Sequence, residues 1–339
     1  MKKILFFLVS LLIGIGLFLW VGKTVGWQEV KNALLVFTGL QGLVILALTV
    51  LIKAAEILKW EVILRSQGHD ISTLEITRIH LASRLIAFVA PILILADEVF
   101  MGYTLKERNS VPWVKGAASI IIYKILYLTG IFIIVLSGLI FLLLQIGLPV
   151  KILGIILGSL LFSLIVVSIF YFKCFKRESL MKSIVKALSR KPINQKNKVM
   201  EIEQEVFSFF GLKEKSMWFG FGLTFFEVMF HFLRCWVLMV FLVKNIGAFP
   251  ALSIFSFFYL SSIIPIPAAL GSHEALQIFA FNSLGLKTST ATAFTMIIRG
   301  ADAIMALVGG FFLFQLGIGL LKISLLRKIE AFFSNNKDN

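Results

Sequence analysis

Ser261-Ser-Ile-Ile-Pro-Ile-Pro-Ala-Ala-Leu-Gly-Ser-His-Glu274 interrupts a hydrophobic segment that is too long for a loop and too broken for one helix. Pro265 and Pro267 each lack a backbone donor, and their rings clash with a preceding helical turn, so a helix arriving from Phe255 should stop near Ile264. Gly271 reaches backbone conformations closed to other residues, and Ser272 is a favourable N-cap. A second helix is therefore expected from about Ser272, with His273 and Glu274 in its first turn. Apolar residues flank the break on both sides, Ala251 to Leu260 and Ala275 to Leu286. At membrane depth, a broken helix needs its freed backbone groups buried in protein or facing a wet cavity. Paired half-helices of this kind meet at binding sites.

The rest of the chain supplies the membrane. Hydrophobic residues make up 59% of the 339 and aromatics 13%, with a mean hydropathy of +0.95; a soluble domain holds about 45–50% apolar residues. Several runs reach the roughly 20 apolar residues that cross a bilayer. The expected fold is an all-α polytopic membrane protein with about six transmembrane helices, two broken re-entrant hairpins and room for an inverted repeat. A single integral membrane domain, residues 1–339, accounts for the chain. Met1-Lys-Lys followed by Ile4 to Val21 has the outline of a signal peptide, but its apolar core is too long, which makes it a retained first span.

Span two is expected from about Ala33 to Ile52, followed by an interfacial and loop section from Lys53 to Arg78. The next apolar stretch, His80 to Tyr103, holds Arg84, Pro91 and Asp97-Glu98 and has basic residues on both flanks. Basic flanks favour the cytoplasmic side, so this stretch reads as a hairpin that enters and leaves by one face. Ala117 to Gln145 and Val150 to Phe172 are further spans joined by the tight Ile146-Gly-Leu-Pro149 turn. The loop Lys173 to Lys198 is the strongest cytoplasmic marker, and with the acidic amphipathic patch Glu201 to Phe210 it forms a cytoplasmic segment, residues 173–215. Met217 to Val243 and Ala291 to Leu321 complete the spans. Both termini are then cytoplasmic, and halves 33–145 and 217–321 each read as span, hairpin, span, with the hairpins entering from opposite faces.

The net charge of +15 lies mainly between spans, where it sets orientation and attracts anionic headgroups. No nucleic-acid partner is expected. Cys174 and Cys235 fit no metal motif and are not placed for a disulfide. There is no phosphate loop, metal-ligand cluster or nucleophile elbow, so no cofactor, metal or catalytic residue is assigned.

An ionisable group at membrane depth costs at least about 2.5–3.5 kcal/mol and needs a partner or water. Glu227, His231 and Arg234 share one helical face by their spacing of four and three, and Arg299 and Asp302 repeat that arrangement in the last span. Glu274 sits where the helix dipole favours a carboxylate. The functional reading is that Arg84, Arg234 and Arg299 line a polar cavity for an anionic phosphate headgroup, balanced by Glu274, Asp302, Glu227, Asp97 and Glu98. The bland reading is that these pairs only hold helices together. His231 and His273 read as helix contacts, His69 and His80 as loop or boundary residues, and Lys124 as a lysine that snorkels to the cytoplasmic boundary.

Pro265-Ile-Pro-Ala-Ala-Leu-Gly-Ser-His-Glu274, followed by a span with Arg299 and Asp302, resembles the signature of the lysylphosphatidylglycerol synthase transmembrane region, also called the flippase-like family. Its usual form is Pro-x-Pro-Gly-Gly-x-Gly-x-x-Glu. Pro265, Pro267, Gly271 and Glu274 match, while Ala268 and Ala269 replace the two middle glycines. A second element, a proline followed by Arg and then Gly-Glu, is partly kept from Pro91 to Glu98, with Leu93 and Ala96 in place of Arg and Gly. The resemblance implies a lipid-handling protein of a bacterial or archaeal inner membrane. Synthase chemistry in bifunctional members sits in a separate C-terminal domain; this chain ends at Asn339, so aminoacyl transfer is not expected of it. The expected activity is translocation of a phospholipid or polyprenyl-linked lipid. The alternatives are a membrane-embedded lipid-modifying transferase, with Glu274 or Asp97 as base, and a scaffold for a separately encoded glycosyltransferase. A homo-oligomer is compatible with any of these.

Overall fold

A long unbroken helix begins at Leu40, where a run of Leu, Ile, Val and Ala passes directly into Lys53-Ala-Ala-Glu-Ile-Leu-Lys-Trp-Glu61. A computed structural model describes residues 39–89, 95–146, 150–179, 198–243, 246–263 and 272–335. This helix, α1, spans Leu40–Ser66, 27 residues or about 40 Å at 1.5 Å per residue. Neither Gly nor Pro occurs between residues 43 and 67 to stop it. It ends at Gly68, whose φ of 82° suits the left-handed cap. The Gly68 and His69 amides bond back to Arg65 and Leu64 carbonyls at 3.0 Å each, the hydrogen-bond pattern of a Schellman motif. The expected loop from Lys53 to Arg78 is thereby corrected: only residues 67–72 connect α1 to α2. Charge density alone does not end a helix when each charge can find a partner inside the protein.

The remaining described helices are α2 (Thr73–Val89), α3 (Ala96–Asn109), α4 (Trp113–Ile146), α5 (Val150–Lys176), α6 (Lys198–Phe209), α7 (Lys215–Val243), α8 (Ala248–Ile263), α9 (Ser272–Ser283) and α10 (Thr288–Asn335). Among the described residues, α1, α4, α7 and α10 contain stretches long and apolar enough to cross a membrane. The expected first span, residues 4–21, lies outside the described residues, as do Pro91, Pro265, Pro267 and Gly271. On either side of the latter three, α8 spans Ala248–Ile263 and α9 starts at Ser272, and the expected break itself lies outside the described residues. Helix α6 turns Met200, Val206, Phe207 and Phe209 inward and leaves Glu201 exposed, as an amphipathic surface helix should.

Two apolar clusters divide the interior. The first gathers Ile57, Trp60 and Leu64 of α1 with Ile76 and Ile79 of α2, Met101 and Leu105 of α3, the N-terminal half of α4, the aromatics of α6 and Leu316 of α10. The second gathers Ile45 of α1, Val135 of α4, Leu238 and Met239 of α7, Ile254 and Phe255 of α8, Phe281 of α9, and Phe294 to Ala301 of α10. Hairpin α2–α3 thus belongs to one end of the molecule and hairpin α8–α9 to the other. Helices α1, α4, α7 and α10 contribute to both clusters.

Three pairings hold this arrangement: α1 against α7, α2 against α10, and α4 against α8. The last two are close crossings. A Cβ on Gly309 of α10 would collide with the Leu81 carbonyl of α2, and one on Gly138 of α4 would collide with Ser256 Oγ and the Leu252 carbonyl of α8. Ser253 Oγ donates to the Gly138 carbonyl at 3.1 Å and Ser256 Oγ to the Ile134 carbonyl at 3.2 Å, so hydroxyls reinforce the contact that glycine permits.

Candidate functional site

Where the two apolar clusters meet, the long helices carry their ionisable side chains. On α1, Lys53 Nζ donates to both Glu56 oxygens at 2.8 and 2.9 Å, a contact that their i, i+3 spacing permits. His80 of α2 places Nε2 2.8 Å from Glu56 Oε2 and is fully buried. The expectation that His80 is a loop or boundary residue is therefore corrected: it is a core residue that orients Glu56. One turn further along α1, Lys59 pairs with Glu227 of α7, and neither side chain is exposed at all. The Lys59 ammonium also stands over the Tyr123 ring, 4.3 Å from its centroid, where the ring face supplies further negative potential.

Glu227, His231 and Arg234 do share one face of α7, as their spacing predicts, and that face points inward. Their partners come from other helices. Arg234 Nη1 donates to Asp302 Oδ1 of α10 at 2.7 Å and to Thr49 Oγ1 of α1 at 3.1 Å. His231 lies edge-on to Tyr259, with Nε2 3.9 Å from Glu56, and among the described residues neither ring nitrogen has a hydrogen-bond partner. The second oxygen of Glu227 is also buried without one among those residues. Glu56, Glu227 and His231 bring ligand atoms within 4.8 Å of one another, close enough to hold a metal ion. Lys53 and Lys59 already neutralise both carboxylates, however, and a divalent cation would add two charges to a buried, balanced cluster.

At the first hairpin the pairs are looser. Arg84 of α2 and Asp97 of α3 approach to 3.9 Å, with 24% and 10% of their side chains exposed. Lys124 of α4 pairs with Glu98 of α3 at 2.5 Å and is 38% exposed against 11% for its partner. Lys124 was expected to snorkel to the boundary; it turns to Glu98 instead, because a carboxylate is within reach and hydrocarbon is the alternative. At the second hairpin, Glu274 occupies the first turn of α9, and its side chain lies outside what is described. Arg299, on α10, falls within the second cluster's stretch of that helix, beside Ile297 and Ile298.

Sequence reasoning missed Lys53, Glu56 and Lys59 as members of this layer. The available signal was the helix itself: opposite charges at i, i+3 in a run with no breaker. A surface cavity of about 590 Å³ is lined by Asp70 of the α1–α2 connection, Glu75 in the first turn of α2, Arg108 in the last turn of α3 and Gly319 within α10, and none of the layer's residues lines it.

Fold and layer together define a polytopic membrane protein that keeps paired charges between two apolar cores, with one packed helix pair in each core. The profile of the lysylphosphatidylglycerol synthase TM region matches residues 7–310, and the chain belongs to that family. Membership places it among membrane proteins that handle lipids. No curated protein and no solved structure matches the chain with significance.

Proposed function

We propose that the protein moves the polar head of an anionic phospholipid or polyprenyl-linked lipid across the cytoplasmic membrane while the tails stay in the bilayer. The observation that carries this reading is the position of the charged layer between two apolar clusters that each enclose one hairpin. A phosphate crossing hydrocarbon alone faces a barrier of several kcal/mol, which fixed cations along its path reduce. Hairpins at opposite ends are what alternating access around a central site uses. In this reading Arg84, Arg234 and Arg299 attract the phosphate. Asp97 and Asp302 hold Arg84 and Arg234 when no lipid is present, Glu98 and Glu227 hold Lys124 and Lys59, and Glu274 balances the charge at the second hairpin. The basic segment from Lys173 and the basic tail keep both termini in the cytoplasm.

The test is scrambling of fluorescent phosphatidylglycerol in liposomes that contain the purified protein. Glu274→Gln and Arg299→Ala are expected to abolish it while leaving the melting temperature in detergent unchanged. Wild-type rates in both variants would remove these residues from the mechanism. Mass spectrometry of lipids from a deletion strain separates transport from lipid modification, because flipping alters sidedness and group transfer alters mass.

A further inference from the structure

Corresponding helices recur at a fixed interval. Helices α1, α2 and α4 begin at Leu40, Thr73 and Trp113, and α7, α8 and α10 at Lys215, Ala248 and Thr288, each 175 residues later; α9 begins at Ser272, 176 residues after α3 at Ala96. Packing follows the same topology, since α10 crosses α2 as α4 crosses α8, each over a glycine that meets a leucine carbonyl, with Gly309 and Gly138, like Leu252 and Leu81, 171 residues apart, one turn off the 175-residue register. With one hairpin in each apolar cluster, the two halves face opposite ways. At the 175-residue interval Lys59 corresponds to Arg234 and Lys124 to Arg299; at the 176-residue interval Glu98 corresponds to Glu274.

We propose that Lys124 and Glu98 form a phosphate-binding station at the first hairpin, the counterpart of the Glu274 and Arg299 positions at the second, and that an anionic lipid headgroup occupies the two in turn. This inference rests on the lipid-transport reading above and adds a second site to it.

Three features of the first hairpin fit a phosphodiester. Lys124 stands on a lipid-facing stripe of α4: Ile121 before it and Leu128 after it are 41% and 59% exposed. A lipid headgroup reaches it from the bilayer. In both acid–base pairs of this hairpin the cation is the more exposed member, 38% against 11% for Lys124 and Glu98 and 24% against 10% for Arg84 and Asp97. An approaching group therefore meets positive charge first. Donor capacity is also left over, because Arg84 Nε is buried without a hydrogen-bond partner among the described residues, and a phosphate brings acceptor oxygens to use it. Glu98 is then the intramolecular stand-in for the lipid. It holds Lys124 in the empty state and is displaced when a phosphate arrives, as an alternative anion for the same ammonium.

Binding of phosphatidylglycerol to the full-length protein in detergent, followed by native mass spectrometry, tests this. Lys124→Gln and Arg299→Gln are each expected to weaken binding about tenfold, the size of one lost charge-assisted hydrogen bond. Lys124→Arg should bind like wild type, and phosphatidylcholine should bind equally to all. Glu98→Gln, which frees Lys124 from its competitor, should bind phosphatidylglycerol more tightly, an effect that a purely structural ion pair would not produce. Millimolar inorganic phosphate should not compete; if it does, the ligand is free phosphate and the lipid assignment falls. Normal binding by Lys124→Gln together with weakened binding by Arg299→Gln would remove the first station and leave the transport reading intact. Normal binding by both would overturn both. In a Cys174→Ser, Cys235→Ser background, Lys124→Cys and Arg299→Cys should react with an impermeant thiol reagent from opposite sides of oriented vesicles, and reaction from one side only would break the proposed equivalence.

Discussion

Lys59–Glu227 and Lys124–Glu98 are both lysine–glutamate pairs between helices, yet they sit in different surroundings. The first joins α1 to α7 with no exposure on either side; the second joins α4 to α3 with a lysine 38% exposed. Two charges removed wholly from solvent depend on each other, because apart from the Tyr123 ring beneath Lys59 neither has another source of solvation. A pair at the lipid-facing edge can exchange one partner for a ligand at small cost. The difference separates a strut from a station. It also shows that ion-pair chemistry alone does not tell the two apart, whereas burial does.

The largest effect expected is at the strut. Glu227→Ala leaves the Lys59 ammonium buried and unpaired, and should destabilise the protein by about 3–5 kcal/mol, measured by denaturant unfolding in mixed micelles. Lys59→Met combined with Glu227→Leu should recover most of that loss, since no uncompensated charge remains. A neutral Glu227→Ala would make the pair dispensable and erase the contrast.

Next in size are the two helix crossings. Gly309→Ala and Gly138→Ala each press a methyl onto a neighbouring backbone carbonyl, and each should cost about 1–3 kcal/mol in the same assay. Clearly unequal effects would argue against equivalent crossings in the two halves. Thr49→Ala removes one of the two bonds that Arg234 Nη1 makes and should cost about 1 kcal/mol, because Asp302 remains. The smallest change is expected for Lys124→Gln, within about 1 kcal/mol of wild type, even though its lipid binding falls. Equal losses of stability at Lys124 and Lys59 would merge station and strut into one kind of contact.

Much of the fold was legible because apolar length and helical period act locally. The interruptions that Pro265, Pro267, Gly271 and Pro91 predict lie outside the described residues. The inward face of α7 was legible for a similar reason, since helical spacing alone puts Glu227, His231 and Arg234 together. The far half of α1 was not. Lys53, Glu56, Lys59, Glu61 and Arg65 look like a membrane boundary until their partners are known. His80 and Lys124 were misjudged on the same ground: each was assigned by its distance from a span end, and each is placed by a carboxylate on another helix.

From its sequence the chain was committed to the bilayer and to a helical fold with costly charges inside it, because apolar length and the price of ionised groups are local properties. Which cation meets which carboxylate was settled only by packing. Lys59 and Glu227 are 168 residues apart and Arg234 and Asp302 are 68 apart, and helical periodicity fixes the face a side chain occupies without fixing the helix that face will touch.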